Sequence, residues 1–330
     1  MIGPEGWDDA VMTSSLPSWR DTSTRTRIIE FVDAVSGDGP EAVPVSERIA
    51  VFDNDGTLWT EKPMPTQLAY IVEQWAAAAK ADPALAEQQP YRGVVDGDLS
   101  WLGGAIEKHY AGDDADLKVM IGAMLGLTVD VPVDEYATAV ADFYREALHP
   151  TLRRPYAEAV YQPMLELLRH LEQHGFTCYI VSGGDRDFMR PMTEDYYGIP
   201  PERVIGSALG LTYDGAANAV KYGASFSFMD DGPEKPVRIW SRIGRRPLLA
   251  VGNSNGDLPM LRFAHADGRE GLSLLIHHDD DTGRGDSPYD KGAEEALAAA
   301  QDGSIVRVSV KDDWSTVFPD PRPATDGDAA

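Results

Sequence analysis

The sequence is short of cysteine, of positive charge and of long apolar runs, and each shortage removes a class of protein. Cys178 is the single cysteine. No intrachain disulfide can form, and the residue sits in the apolar run 176–181 with no neighbour that would stabilise a thiolate, so it is expected as a core side chain rather than a nucleophile. Lys and Arg number 29 against 54 Asp and Glu, a formal net charge of −25. A field of that sign repels phosphate backbones and anionic lipid, so neither nucleic acid nor membrane is an expected partner. It also repels a phosphorylated small molecule, which would need a local positive site, either a metal or a well-placed Lys. No run is apolar for long enough to span a bilayer. The opening MIGPEGWDD lacks the basic and then apolar pattern of a secretory leader, so a cytoplasmic location is expected.

What is there has an ordinary globular balance, 43% hydrophobic and 25% charged residues, so a disordered chain is excluded. The length of 330 residues accommodates one large α/β domain and a smaller inserted one. Residues 1–20 read as an arm that packs on the body. Residues 22–35 carry Ile28, Ile29, Phe31, Val32 and Val35 at helical spacing. The run RIAVFD at 48–53 is apolar and ends in acid, which suits a buried parallel strand. After Thr57 the character changes. Residues 64–148 are rich in Ala, Leu and Glu and predict helices near 65–81, 99–110, 114–125 and 133–148. From Tyr156 onward helices and short apolar strands alternate: helix 157–174, strand 176–182, helix 185–197, strand 203–207, a small hairpin excursion over 208–230, helix 234–243, strand 247–251, helix 257–264, strand 272–277, helix 291–301 and strand 305–310. Alternation of this kind predicts a doubly wound parallel sheet with helices on both faces. The expected division is an α/β core of 1–61 and 151–330, an all-helical cap over 62–150, and a disordered tail over 319–330.

In open α/β sheets ligands bind outside the carboxyl ends of the strands. Three strand ends are polar and glycine-containing: Asp53-Asn54-Asp55-Gly56-Thr57, Ser182-Gly183-Gly184-Asp185, and Gly252-Asn253-Ser254-Asn255-Gly256-Asp257. Asp53 and Asp55 stand two apart, so in extended chain their carboxylates face one side and can share one substrate atom. Gly56 lets the chain turn away at once. A calcium loop starting at Asp53 would need Gly sixth and Glu twelfth, where Leu58 and Met64 stand, so that reading fails. An ordinary Asp-Gly turn is the plain alternative.

The stretch FDNDGTLW resembles the first motif of the haloacid dehalogenase superfamily phosphatases, CYIVSGG their second, and LLAVGNSNGDLPML their fourth. The order and spacing of these motifs, spread over most of 48–314, resemble the phosphoserine-phosphatase-like branch. The resemblance implies a Rossmann-like core with a cap, a Mg²⁺ cofactor, and hydrolysis of a phosphomonoester on a small metabolite through an aspartyl-phosphate. By it Asp53 is the nucleophile and a metal ligand. Asp55 is the general acid/base with its carbonyl on the metal, and Ser182 with Gly183 and Gly184 binds the phosphoryl oxygens. The motif Lys falls on Lys235, with Lys221 in the hairpin region less favoured. Asn253 departs from the family's acid at that place; as a neutral oxygen ligand it should hold Mg²⁺ less tightly than a carboxylate. Asp257 is implied as a further ligand or as an outer partner of Lys235. Asp55 argues for phosphate esters, because a haloacid dehalogenase releases halide and needs no proton donor.

Thr57, Glu61, Trp59 and Lys62 follow the first motif and are expected within reach of substrate, or else form an ordinary loop. His277 and His278 ahead of Asp279–Asp281 suggest either a second metal or, more simply, a polar loop at the rim of the site. Arg92, Lys108, His109 and Arg145 suggest either a contact to the remote end of a substrate or a solvated helix face. Two rival functions share these motifs: a phosphomutase, and a small-molecule-binding protein that has lost strong metal binding, for which Asn253 is the suspicious feature.

Overall fold

A computed structural model describes residues 15–110, 112–265, 269 and 271–320. Seven strands form one sheet in the order β4-β3-β2-β1-β5-β6-β7. They are β1 (Ile49–Phe52), β2 (Thr177–Asp185), β3 (Val204–Asp214), β4 (Ala219–Phe228), β5 (Leu249–Gly252), β6 (Leu272–His277) and β7 (Val306–Ser309). All pair in parallel except β3 with β4. The central position of β1 follows from its composition: all four of its residues are buried, as are those of β5. Alternate side chains serve opposite faces, as a strand's period of two requires. Phe52, Ile180 and Leu274 join one core, while Val51, Val181 and Leu275 join the other.

Helix α1 (Ser23–Ser36) precedes β1. Next come α2 (Thr66–Ala81), α3 (Tyr91–Asp96), α4 (Ser100–Tyr110), α5 (Ala115–Thr128) and α6 (Val133–Glu146). The remaining helices are α7 (Gln162–Gln173), α8 (Arg186–Tyr197), α9 (Glu234–Ile243), α10 (Leu258–Phe263), α11 (Glu294–Ala299) and α12 (Val310–Asp313). None of the described helices is long and apolar enough to cross a membrane. Helix α1 runs from the Thr22 cap to Gly37 and buries Ile28, Val32 and Val35, the i, i+4, i+7 stripe of an amphipathic helix.

Helices α2 to α6 form an excursion between β1 and α7. The chain leaves the core at Thr60 and re-enters at Ala159, and these two crossings are stitched together. Thr60 N–H donates to Ala159 O at 3.0 Å and Tyr161 N–H to Leu58 O at 2.8 Å. The described residues of the excursion add no strand to the sheet; an aromatic cluster fastens it to the core. Phe188 of α8 meets Tyr70 at 5.5 Å, Tyr144 at 5.1 Å and Phe143 at 6.3 Å between ring centres. Tyr144 also donates to Phe188 O at 3.0 Å. Rings of this size bury the largest apolar area per residue, and the tilted contacts add to it.

Two differences from the sequence reading concern the sheet edge and the excursion. The hairpin expected over 208–230 is present as the antiparallel pair β3–β4, but it belongs to the main sheet rather than standing apart from it. β3 continues straight through Ala208 to Asp214, and β4 returns antiparallel as the edge of the same sheet. There it supports the excursion, since Asp130 N–H donates to Tyr222 O at 2.9 Å and Tyr222 N–H to Val131 O at 3.1 Å. Helix α3 falls between the helices that the spacing predicts. It has six residues and stops at Gly97, whose φ of 72° is left-handed, too short for a periodic signal. Within the arm, Ser18 N–H donates to Glu166 at 2.8 Å and Trp19 Nε1 to Pro163 O at 2.9 Å. Residues 1–14 and 321–330, which hold most of the arm and nearly all of the expected tail, lie outside the described residues.

Candidate active site

β1 is the point where the strand order reverses, with β2 on one side and β5 on the other. The carboxyl ends of these three strands therefore open into one crevice. Asp53 follows β1 directly and is 6% exposed. Lys235, in the first turn of α9, reaches into the crevice and is buried. Its Nζ donates to Asp53 Oδ1 at 2.7 Å, to Asp257 Oδ1 at 2.6 Å and to Val181 O at 3.1 Å. The ammonium thus spends its three donors on the ends of all three strands. Lys221 lies elsewhere, paired with Asp214 at 2.7 Å.

The charges explain one another. Burial opposes charge on Lys235, yet Asp257 and Asp53 outweigh it and hold the ammonium's pKa above its ordinary value. Burial pushes the Asp53 carboxyl up, Asp257 adds to the push, and Lys235 opposes both. The Asp55 carboxyl is pushed up to about 6, first by burial and then by Glu61. Such a carboxyl can hold or release a proton near neutrality. Its Oδ1 accepts from Trp59 Nε1 at 3.0 Å, while Oδ2 faces Gly184, where a Cβ would stand 3.5 Å away.

Asp257 is fully committed. Besides Lys235, it accepts at Oδ2 from the N–H groups of Asn253 and Ser254, both at 2.9 Å, and from the Ser254 hydroxyl at 3.0 Å. Its geometry is that of a Lys235 anchor and a cap for the turn Asn255–Asp257. Asn253, in the fourth motif, reaches across to the first motif and the loop after it. Its Oδ1 accepts from Thr57 Oγ1 at 3.3 Å, and its Nδ2 donates to Glu61 Oε1 and to the Tyr289 hydroxyl, each at 3.3 Å. Gly56 is required twice over. Its φ is 74°, and a Cβ there would meet Asn253 Nδ2 at 2.1 Å. Ser182 is buried and its Oγ accepts from the Gly184 N–H at 3.1 Å, so that amide is turned inward here. Gly183 O accepts from Ser207 Oγ at 2.8 Å.

The structure therefore brings Asp53, Asp55, Thr57, Glu61, Ser182, Gly183, Gly184, Lys235, Asn253 and Asp257 to one crevice. Lys62 stands at its rim, 3.6 Å from Glu61 and 3.9 Å over the Tyr289 ring. His278 is no metal ligand, because both ring nitrogens are taken up by protein acceptors, Asp286 Oδ2 at 2.6 Å and Gly56 O at 2.8 Å. His277 faces Asp290 at 2.9 Å. Of the cationic candidates in the excursion, Lys108 pairs with Asp116 at 2.5 Å and Arg145 with Asp142; His109 lies outside the described side chains. Cys178 is buried in β2, and burial pushes its thiol well up.

Three residues near the site, Tyr197, Gln67 and Tyr289, escaped the sequence reading. Tyr197 donates to Asn54 Oδ1 at 3.1 Å and steadies the first motif. Gln67 of α2 accepts from the Asp185 N–H at 3.0 Å and ties the excursion to the second strand end. His278 and Tyr289 stack at 4.6 Å and carry the loop after β6 onto Gly56 and Asn253. A buried carboxylate–lysine centre thus sits at the switch point of a doubly wound sheet, the place where such sheets bind their ligands. The chain belongs to the haloacid dehalogenase-like hydrolases, whose family model matches residues 50–262.

The chain is similar in fold to a conserved protein of unknown function from Anaerococcus prevotii DSM 20548, with 19% identity, a TM-score of 0.53, and coverage of 86% of this chain and 91% of that one. It is similar also to a protein of unknown function from Bordetella pertussis Tohama I, with 16% identity, a TM-score of 0.52, and coverage of 79% and 98%. A looser likeness, TM-score 0.39 at 15% identity over 78% and 68%, is to a probable phosphoserine phosphatase from Vibrio cholerae. No curated protein matches the sequence.

Proposed function

We propose that the chain is a Mg²⁺-dependent phosphomonoester hydrolase that works through an aspartyl-phosphate on Asp53. The observation that carries the reading is the unequal treatment of the two carboxylates. Asp53 has Oδ1 held by Lys235 at 2.7 Å, and its Oδ2 has only a long contact, 3.4 Å from Thr57 Oγ1. Asp55, two residues on, holds its proton up to about pH 6.

The donor set fits a hard cation. Asp53, Asp55, Asp257 and Glu61 bring four acids to the crevice, and Lys235 is the one buried cation that faces them among the described residues. Burial first and then Asp257 push the Asp53 carboxyl up, so the site favours added positive charge. All the candidate donors are oxygens, which suits Mg²⁺. Asp53, the Asp55 carbonyl and the Asn253 amide oxygen would hold it, with Asp257 acting through Lys235. When bound, the cation supplies charge against the transferring phosphoryl group.

The chain's own residues do the rest. An Asp53 carboxylate oxygen attacks phosphorus in line with the ester oxygen, and the ester P–O bond breaks. Asp55 gives its proton to the leaving oxygen. A water then attacks phosphorus, Asp55 takes its proton, the Asp53 O–P bond breaks and phosphate leaves. Lys235, through its charge, and the Ser182 hydroxyl, as a donor, steady the phosphoryl oxygens. The excursion of α2 to α6, proposed here as a cap over 62–150, keeps bulk water from the crevice.

Phosphate release from a panel of esters with Mg²⁺ tests the reading. Asp53→Asn should abolish it with the fold unchanged, and a beryllofluoride adduct on the wild type should map to Asp53. Turnover retained by Asp53→Asn sinks the nucleophile assignment, and isomer formation without free phosphate would turn the reading to a mutase.

A further inference from the structure

A cavity of about 70 Å³ opens where the excursion meets the sheet edge, walled by Tyr70 and Ile71 of α2, Met124 and Leu127 of α5, and Leu209 of β3. Gln67 and Asp185 also line it, and these two form the hydrogen bond that joins α2 to the second strand end. The cavity adjoins the reacting groups. A Cβ on Gly184 would lie 3.5 Å from Asp55 Oδ2 and 3.6 Å from Gln67 Oε1, so the free oxygen of Asp55 and the edge of the cavity flank one glycine. An ester oxygen that takes its proton from Asp55 Oδ2 therefore carries its carbon skeleton past Gly184 toward Gln67.

Among the described residues the wall contains no Lys, Arg or His. Its one carboxyl, Asp185, is pushed up to about 7 by burial and by Asp187. A carboxylate or a second phosphate on the substrate would lose its hydration here with no described cation to replace it, which disfavours its entry. Apolar carbon gains instead by burial, roughly four-fold in affinity for each CH₂.

Resting on the phosphatase reading, we infer that the substrate's leaving group is a short, uncharged, mainly apolar alcohol, rather than an amino acid such as serine or a doubly phosphorylated sugar. A cavity of about 150 Å³ admits benzene, so about half that volume suits a chain of three or four carbons.

The test uses the full chain and two readouts. The first is kcat/KM with Mg²⁺ for the n-alkyl monophosphates from methyl to hexyl, and for phosphoserine. It should rise three- to four-fold per carbon up to about butyl and then level, with phosphoserine at least ten-fold below butyl phosphate. The second is calorimetric affinity of Asp53→Asn for the same ligands, which needs no turnover and should climb in the same steps. In Leu127→Phe, which fills the cavity, the optimum should shorten by at least one carbon. Turnover with affinities flat in chain length, or with phosphoserine preferred, overturns the inference and leaves the phosphatase reading standing. Affinities that climb without any phosphate release overturn the phosphatase reading and leave the cavity's preference standing.

Discussion

Asn253 stands where the family has an acid, and its surroundings show what an acid would meet. Glu61 Oε1 lies 3.3 Å from Asn253 Nδ2, so Asn253→Asp would set two carboxylates against each other. If residue 253 holds the cation, an added charge is worth about 1–2 kcal/mol, or roughly ten-fold in half-saturating Mg²⁺. The single variant should realise only part of that shift, and Asn253→Asp with Glu61→Gln should realise it in full. Equal half-saturation in wild type, both variants and Asn253→Ala would mean that residue 253 does not touch the ion.

Asp230 poses a different question at the same scale. Neither of its carboxylate oxygens has a donor among the described residues, and burial, outweighing Lys235 and Arg238, pushes its carboxyl up to about 7. Between about pH 4 and pH 7 the folded chain then keeps a proton that the unfolded chain gives up. Stability must fall as pH rises through that window and stay lowered above it. Asp230→Asn removes the titration, so it should gain on the wild type at pH 8 relative to pH 5, by about 1–3 kcal/mol in denaturant melts. An equal difference at both pH values would contradict the raised carboxyl.

What could be read residue by residue divides along the same line. Asp53, Asp55, Ser182 and Asn253 stand out because each ends an apolar run, and a parallel sheet gathers such ends. Tyr197, Gln67 and Tyr289 give no such sign. They act on partners 143, 118 and 36 residues away, through packing that no local pattern encodes.

Among the elements, β1, β2, β5 and β6 are legible because they are buried on both faces and read as apolar runs. β3 is legible as a core strand only as far as Ser207, the rest being read as an arm of a hairpin. Past it the strand emerges, Leu211 and Tyr213 being 44% and 67% exposed, and the apolar signal stops although the hydrogen-bonded ladder continues. The helices of the excursion follow their spacing closely, but their docking does not show in the sequence. That docking changes what removal of the excursion should do. Trp59, Phe188 and Tyr222 are each 1% exposed, and much of their cover comes from Tyr70, Tyr136, Phe143 and Tyr144. A chain cut back to the core would expose this aromatic face to water. In the intact protein the excursion should not melt by itself, so calorimetry and near-ultraviolet dichroism should report one coincident transition. Phe188→Ala should lower stability by about 3–5 kcal/mol, the range for a buried ring, with the transition still single. Two resolved transitions in the wild type would show that the aromatic cluster does not couple the parts.

Over the whole molecule the dominant quantity is the charge of −25, carried by a protein proposed to bind a dianion. The field of the surface and the field of the crevice have opposite tasks. Lys235 is spent on Asp53, Asp257 and Val181, and Lys62 at the rim is beside Glu61, so no described cation extends an attractive field outward from the crevice. Approach of a phosphate ester is then opposed at long range and favoured only at contact, once the cation is in place. Salt acts on the long-range part. The Debye length falls from about 30 Å at 0.01 M to about 8 Å at 0.15 M, so repulsion from distant carboxylates is screened while the buried pairs are little affected. At fixed saturating free Mg²⁺, raising NaCl across that range should increase kcat/KM for a dianionic ester by about two- to five-fold. The gain should fall in KM, with kcat nearly constant, because chemistry occurs among groups that salt does not reach. An uncharged alcohol measured as a product inhibitor should show no such gain. A fall in kcat/KM with salt, the behaviour of a steered enzyme, would mean that the crevice projects a positive field after all, and that side chains other than Lys235 and Lys62 supply it.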